Sequence, residues 1–265
     1  MKKILFILFI IFTINNFSQD TRDIKFELLN FSDKKYNDFA PTLYKDGIIF
    51  TSDRNSNNKI MELYYSNLKT SPIKIIVKNN QYNLGPAFYD KKNNKLYFTK
   101  INNMHFNYRY KFAIHEGKLN NDELLYHKML SFCKPKYNYG HSTIFNDKLL
   151  ISYSNNRSFF LVLYKYKNKW IKDKVIFKSN HNMLFPNYLN ENTIIFSTKR
   201  KGGLGGLDLY KIIKKNKKWS KPINLKEFNT KYDDFGLLYI NEYEGYISSN
   251  RIDNKDHIFK FTIKH

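Results

Sequence analysis

Short apolar runs bounded by polar turns recur along the chain, and their lengths are those of strands. "GIIFTS", "KLYFTK", "LLISYS", "TIIFST" and "GYISS" are dense in β-branched and aromatic residues, which suit a pleated, buried ladder better than a helix. Each follows a shorter strand and a turn of Asp, Asn, Glu or Gly: "KDG", "KKNNK", "ND", "NEN" or "EYEG". A third strand comes after each, in "MELYYSNL", "KFAIHEG", "FLVLYKY", "LDLYKII" and "HIFKFTI". A fourth is expected in "PIKIIV", "ELLYHKML", "WIKDKVIF" and "WSKPINL". No stretch carries the 3.6-residue periodicity of an amphipathic helix of useful length.

The four-strand grammar repeats five times, over Asn37–Arg54, Tyr82–Lys100, Asn138–Arg157, Asn182–Arg200 and Asp233–Arg251. Anchored on Pro41, Pro86, Ser142, Pro186 and Leu237, the period is that of propeller blades. The fifth unit lacks a fourth strand, whereas "IKFELLN" (Ile24–Asn30) is a strand without a unit. Pairing the two would close the ring and remove its exposed edges. The chain is therefore expected to be all-β: a single five-bladed β-propeller of four-stranded antiparallel blades, closed by the N-terminal strand pairing with the last blade.

The start, "MKKILFILFIIFTINNFSQD", sets two lysines before an apolar run too short to span a bilayer. It reads as a signal peptide over residues 1–18, leaving residues 19–265 as the propeller. The mature chain is expected to be exported, periplasmic or outer-membrane-associated, with no transmembrane segment. Cys133 is the sole cysteine, so neither an intramolecular disulfide nor a cysteine-rich metal site is expected.

The chain's 265 residues carry a formal charge of +22. The excess is nearly all lysine, beside abundant Asn, Ile, Tyr and Phe, the amino acids of AT-rich codons. Base composition thus accounts for the charge ahead of a polyanionic partner, and nucleic acid fits poorly with export. The lysines of "KYKNKW" and "KIIKKNKKW" fall at turns between third and fourth strands and read as a solvated rim.

"KRKGGLGGLDLYKI" (Lys199–Ile212) has the look of a phosphate-binding loop. Such a loop must open onto a helix N-terminus, but strands flank this one. Gly202, Gly203, Gly205 and Gly206 are therefore expected to supply positive-φ positions in a hairpin, and no nucleotide cofactor is expected. "SDR", "SNNR" and "SSNR", with "GGLGGLDLY" and "WSKPINL", resemble the TolB-type, WD-repeat-like propeller repeats of Gram-negative envelopes. The resemblance covers the mature chain, strongest in units one, four and five. It implies an envelope interaction module; some multidomain relatives in Bacteroidetes-type bacteria take part in type IX secretion.

In an up-and-down blade the chain reverses at every strand, so the loop leading into the first strand shares a face with the loop joining the second and third. That face gathers Asp38, Asn83, His141, Asn182, Asp233 and Asp234. Four of the six arginines, Arg54, Arg157, Arg200 and Arg251, also fall there. Repetition favours a scaffold role, with each guanidinium tying its loop to an acidic or carbonyl partner, over a ring that binds carboxylates or sulfates. Tyr139, His141, Asp233 and Asp234 break the pattern and, with Asp38, are the candidate partner-binding residues.

Asp38 with Asp233 or Asp234 could form the carboxylate pair of a glycosidase. Units two, three and four offer Asn83, Tyr139 and Met183 at the matching position, so the face is poor in acids. "DRNSNN" (Asp53–Asn58) lacks the central Gly and final Glu of a calcium loop, and no metal is expected. Trp170 and Trp219 are read as packing residues. The expectation is a non-catalytic adaptor for an envelope protein or peptide, with acidic glycan as a further partner class. The alternative is a carbohydrate-active propeller that binds or hydrolyses a glycan.

Overall fold

The computed structural model describes residues 23–54, 60–78, 80, 82–102, 111–155 and 157–264. The leader expected over residues 1–18 lies outside them, as does most of "DRNSNN". Among the described residues no helix is long and apolar enough to cross a membrane.

The expected architecture is what forms. β1 (Ile24–Leu28) precedes blade 1, which is β2 (Asp38–Tyr44), β3 (Gly47–Ser52), β4 (Glu62–Ser66) and β5 (Ile73–Lys74). Blade 2 is β6 (Leu84–Asp90), β7 (Lys95–Asn102), β8 (Lys111–Asn120) and β9 (Glu123–Met129). Blade 3 is β10 (Asn138–Phe145), β11 (Lys148–Ser154), β12 (Phe159–Lys167) and β13 (Lys169–Ser179). Blade 4 is β14 (Leu184–Asn190), β15 (Thr193–Thr198), β16 (Asp208–Lys215) and a divided outer strand, β17 (Lys218–Trp219) and β18 (Ile223–Asn224). Blade 5 is β19 (Asp234–Tyr239), β20 (Glu244–Ser249) and β21 (His257–Ile263), completed by β1. β1 runs antiparallel to β21, with Ile24 opposite Ile263 and Leu28 opposite Phe259.

The second strand of every blade is a continuous apolar run because both its faces are buried. Along β3, Ile49 packs towards blade 2 with Leu63, Leu96 and Phe98. Its neighbours Ile48 and Phe50 pack towards blade 5 with Tyr246 and Ile258. The same alternation divides Tyr97 from Leu96 and Phe98, Leu150 from Leu149 and Ile151, Ile195 from Ile194 and Phe196, and Ile247 from Tyr246. Five cores result, one at each blade interface. Each fully buried Leu, Ile or Phe contributes about 1.5–3 kcal/mol.

The first strands line the central axis, and each carries a register shift at the same point: Phe39/Thr42, Leu84/Ala87, Gly140/Ser142, Leu184/Asn187 and Phe235/Leu238. At each shift one residue has positive φ: Ala40 (55°), Gly85 (96°), His141 (53°), Phe185 (50°) and Gly236 (61°). Bulges of this kind re-aim side chains and end regular pairing. Three of the five turn a backbone N–H towards the preceding blade: Ala40 N donates to Ser248 Oγ at 2.9 Å, His141 N to Thr99 Oγ1 at 3.3 Å and Gly236 N to Ser197 Oγ at 3.4 Å. The first of these bonds crosses the seam between blades 5 and 1, so the hub closes the ring from inside as β1 does from outside.

Candidate functional site

Two of the four repeat arginines build matching clamps. Arg54 pairs with Asp38, donates to Ser52 Oγ at 3.2 Å and reaches the carbonyl of Phe31 at 3.4 Å. Arg251 pairs with Asp234, donates to Ser249 Oγ at 3.0 Å and reaches the carbonyl of Phe228 at 3.1 Å. The planar guanidinium serves three acceptors at once. Aromatic rings cover its faces, with Phe26 4.3 Å from the Arg251 guanidinium carbon. Burial raises the Asp38 carboxyl above its ordinary value against the opposing pull of Arg54.

The other two arginines depart from this pattern. In blade 4 Met183 stands where Asp38 and Asp234 stand in blades 1 and 5. Arg200 there reaches only Ser179 Oγ, at 3.5 Å, and the Tyr210 ring, and its buried Nε has no partner among the described residues. Arg157 is exposed and forms no ion pair among the described residues, so the sequence equivalence does not become a structural one.

The candidate binding residues fall into two groups. Asp38 and Asp234 are fully buried; Asp234 also accepts from Thr230 N at 2.6 Å and Ser249 Oγ at 2.6 Å. Asp233 accepts from Leu207 N at 2.6 Å and holds the glycine loop in place. The acids considered for glycoside cleavage are thus committed to structure. Tyr139 and His141, by contrast, line a cavity of about 340 Å³ near the hub.

This cavity lies where blades 1, 2 and 3 meet, at the ends of strands on the face of the candidate residues. Phe39, Phe112, Tyr139, Tyr153 and Phe159 supply its aromatic wall. Asn83, Asn138, Thr51, Thr99, Ser152 and Ser154 supply amides and hydroxyls. Asn83 Oδ1 accepts from Met61 N at 2.7 Å and Asn138 Oδ1 from Phe112 N at 3.4 Å. These bonds orient the amides. Tyr139 gives its hydroxyl to the carbonyl of Phe132 at 3.2 Å, so its ring, not its oxygen, is on offer. Burial holds the His141 imidazole neutral, with its pKa lowered to about 3.

The cavity exists because the hub is unevenly filled. Phe39, Phe185 and Phe235 meet across the axis, with Phe185 and Phe235 rings 4.9 Å apart and Phe39 6.0 Å from Phe235. His141 stacks on Phe185 at 4.1 Å. Where blades 1 and 5 place Phe39 and Phe235, blade 3 places Gly140. A Cβ built at Gly140 would meet nothing within 4 Å, so the missing side chain is open space. Sequence reasoning missed Phe112, Tyr153, Phe159 and Gly140; only a blade-by-blade comparison of "DFAP" with "YGHS" carries that signal.

The glycine loop joins β15 to β16 as expected, but only Gly202 has positive φ (90°). The other three glycines serve close approach. A Cβ would fall on the Asp208 carboxylate at Gly203, on the Tyr232 carbonyl at Gly205 and on the Asp233 carboxylate at Gly206. Asp208 accepts from Leu204 N at 3.0 Å and Gly205 N at 3.2 Å. The loop's donors therefore converge on the chain's own carboxylates.

No protein family profile matches the chain, and no curated protein does. Its fold is similar to those of solved structures at low identity. A GH43_12 protein retrieved from capybara gut metagenome aligns with TM-score 0.56 and 12% identity over 88% of this chain and 53% of that one. An exo-β-1,3-galactanase from Phanerochaete chrysosporium, solved with galactose, aligns with TM-score 0.53 and 9% identity over 89% and 64%. The Bombyx mori GH32 β-fructofuranosidase aligns with TM-score 0.51 and 10% identity over 84% and 58%. The chain thus spans about half to two thirds of the length of these three. The likeness is one of fold, and it corrects the expectation of a non-catalytic chain: proteins named as glycoside hydrolases share this fold, so a repeat built from hairpins is no ground for setting catalysis aside.

Proposed function

We propose that this chain is a carbohydrate-active propeller that binds a glycan in its hub cavity. The observation that carries this reading is the composition of the cavity wall: five aromatic rings beside oriented amides and hydroxyls. A sugar ring has an apolar C–H face and a polar rim, and it needs both kinds of surface in one pocket. Small-molecule sites are largely apolar with a few placed polar groups, as here. The likeness to sugar-processing propellers is support at the level of fold.

Glycoside cleavage through the Asp38–Asp234 region has no support, because those carboxylates are buried in arginine clamps. The apolar leader and the TolB-type repeat residues support an exported, envelope-associated protein. The glycan would then be met at the cell envelope.

A glycan array probed with the full chain tests the reading. Phe112→Ala and Tyr153→Ala should each weaken the retained glycan about two- to twelvefold, since an aromatic contact contributes about 0.5–1.5 kcal/mol beyond its area. Retention of no glycan at all would remove the reading. Chromogenic glycosides assayed in parallel report any turnover.

A further inference from the structure

Resting on that reading, we infer that the hub cavity takes the uncharged end residue of a saccharide, anchored by Thr51 Oγ1 and His141 Nδ1 and admitted by the gap at Gly140. Three observations converge on it.

The first is charge. In a chain of net +22, no Lys, Arg, Asp or Glu is among the described residues lining the cavity. A uronate or sulfated sugar would shed its water there with no counter-charge in the wall, which is costly. His141 offers none either, since burial keeps it neutral.

The second is shape. The Phe39, Phe185 and Phe235 rings, with His141 stacked on Phe185, close the axis beside the cavity. A polysaccharide cannot thread the hub. It must present an end, and about 340 Å³ is at the small limit of ligand sites.

The third is unmet hydrogen bonding. Thr51 Oγ1 and His141 Nδ1 are buried at this cavity, and neither has a partner among the described residues. In blades 2, 4 and 5 the hydroxyl matching Thr51 accepts a bulge N–H from the next blade. In blade 1 that place is taken by Gly85, which packs against Thr51, and its N–H makes no such bond. A sugar hydroxyl, both donor and acceptor, has the chemistry to meet an imidazole nitrogen or a threonine hydroxyl.

Gly140 makes this testable without unfolding the protein. Its φ is not positive and its Cβ direction is empty, so Gly140→Leu fills the cavity and leaves the backbone alone. The full chain and this variant are titrated calorimetrically with neutral oligosaccharides ending in galactose, glucose, arabinose or fructose, and with uronate-ended and sulfated counterparts. An unchanged melting temperature shows that the variant is folded. The expected result is binding of at least one neutral oligosaccharide, at least tenfold weaker to Gly140→Leu, with uronate-ended and sulfated forms at least tenfold weaker than their neutral parents. Thr51→Val should also lose at least threefold. Tighter binding of charged saccharides would overturn this inference and leave the glycan reading standing. Neutral binding untouched by Gly140→Leu would move the site elsewhere. Binding of an aromatic peptide and of no saccharide would overturn both.

Discussion

Asp234 shows how much one buried side chain holds. Its carboxylate accepts from Arg251, Ser249 Oγ, Thr230 N and Thr230 Oγ1, so it fixes two loops as well as a charge. Asp234→Ala would leave the Arg251 guanidinium, mostly buried under Phe26 and Phe259, without its counter-charge. Removing one partner of such a pair costs about 3–5 kcal/mol, and urea denaturation of Asp234→Ala should show a loss of that size. Arg200 is the control, because Met183 has already taken the carboxylate from its clamp. Arg200→Leu should therefore cost clearly less than Arg251→Leu in the same measurement. Equal losses would mean that the guanidinium works by packing alone and that the paired acid adds nothing.

At the scale of the element, β1 is what makes five meanders a closed wheel. Leu29 N donates to the Ile258 carbonyl at 3.2 Å and Lys264 N to the Asp23 carbonyl at 2.9 Å. With the antiparallel alternation, Lys25 and Glu27 face β21 with their N–H groups, while Phe26 and Leu28 point theirs away. Glu27→Pro should thus break the latch by at least about 1 kcal/mol, whereas Leu28→Pro removes no ladder bond. Limited proteolysis at the N-terminus would separate the two, with faster cutting for Glu27→Pro only. The latch and the blades were legible in the sequence, because alternation, turn residues and period all point the same way. Outer strands were less so. "PIKIIV" pairs with β4 through Ile73 and Lys74 and one further bond from Ile75 N to the Leu63 carbonyl, and Ile76 crosses to bridge Glu123 of blade 2. "WSKPINL" splits into β17 and β18 around Pro222, which has no N–H to give. The hub was hidden for a further reason: positive φ falls on Ala40, His141 and Phe185, residue types that announce nothing, so the cavity beside them had no local signature.

Over the whole molecule, the buried ionisable groups make stability follow pH in two opposing senses, lowered histidines against the raised aspartates Asp38, Asp208 and Asp256. Burial lowers His115 to about 4, with His127 Nδ1 3.1 Å from its own Nδ1, and lowers His141 to about 3. His127 shifts down as well, by burial and then Lys100. Below pH 6.5 the unfolded chain binds protons that these folded rings refuse, so their contribution is complete above 6.5 and drains away as the pH falls towards 4. Asp256 acts in the reverse sense. Burial, reinforced by Asp233, raises it to about 6, so the folded state gains a proton before the unfolded one does, and its contribution is lost as pH rises from about 3.8 through 6. Each fully offset group changes stability by about 1.4 kcal/mol per pH unit. Between pH 6 and 5, His115 and His141 lower stability on acidification while Asp256, with Asp38 and Asp208 raised in the same sense, opposes them, and the slope is their balance. Urea midpoints at pH 7, 6 and 5 measure it. His115→Phe should flatten the profile, and Asp256→Asn should steepen it. The two variants pull in opposite directions, so a common structural defect cannot imitate the result, and a profile that stays flat in all three proteins would show that solvent reaches these groups in the folded state.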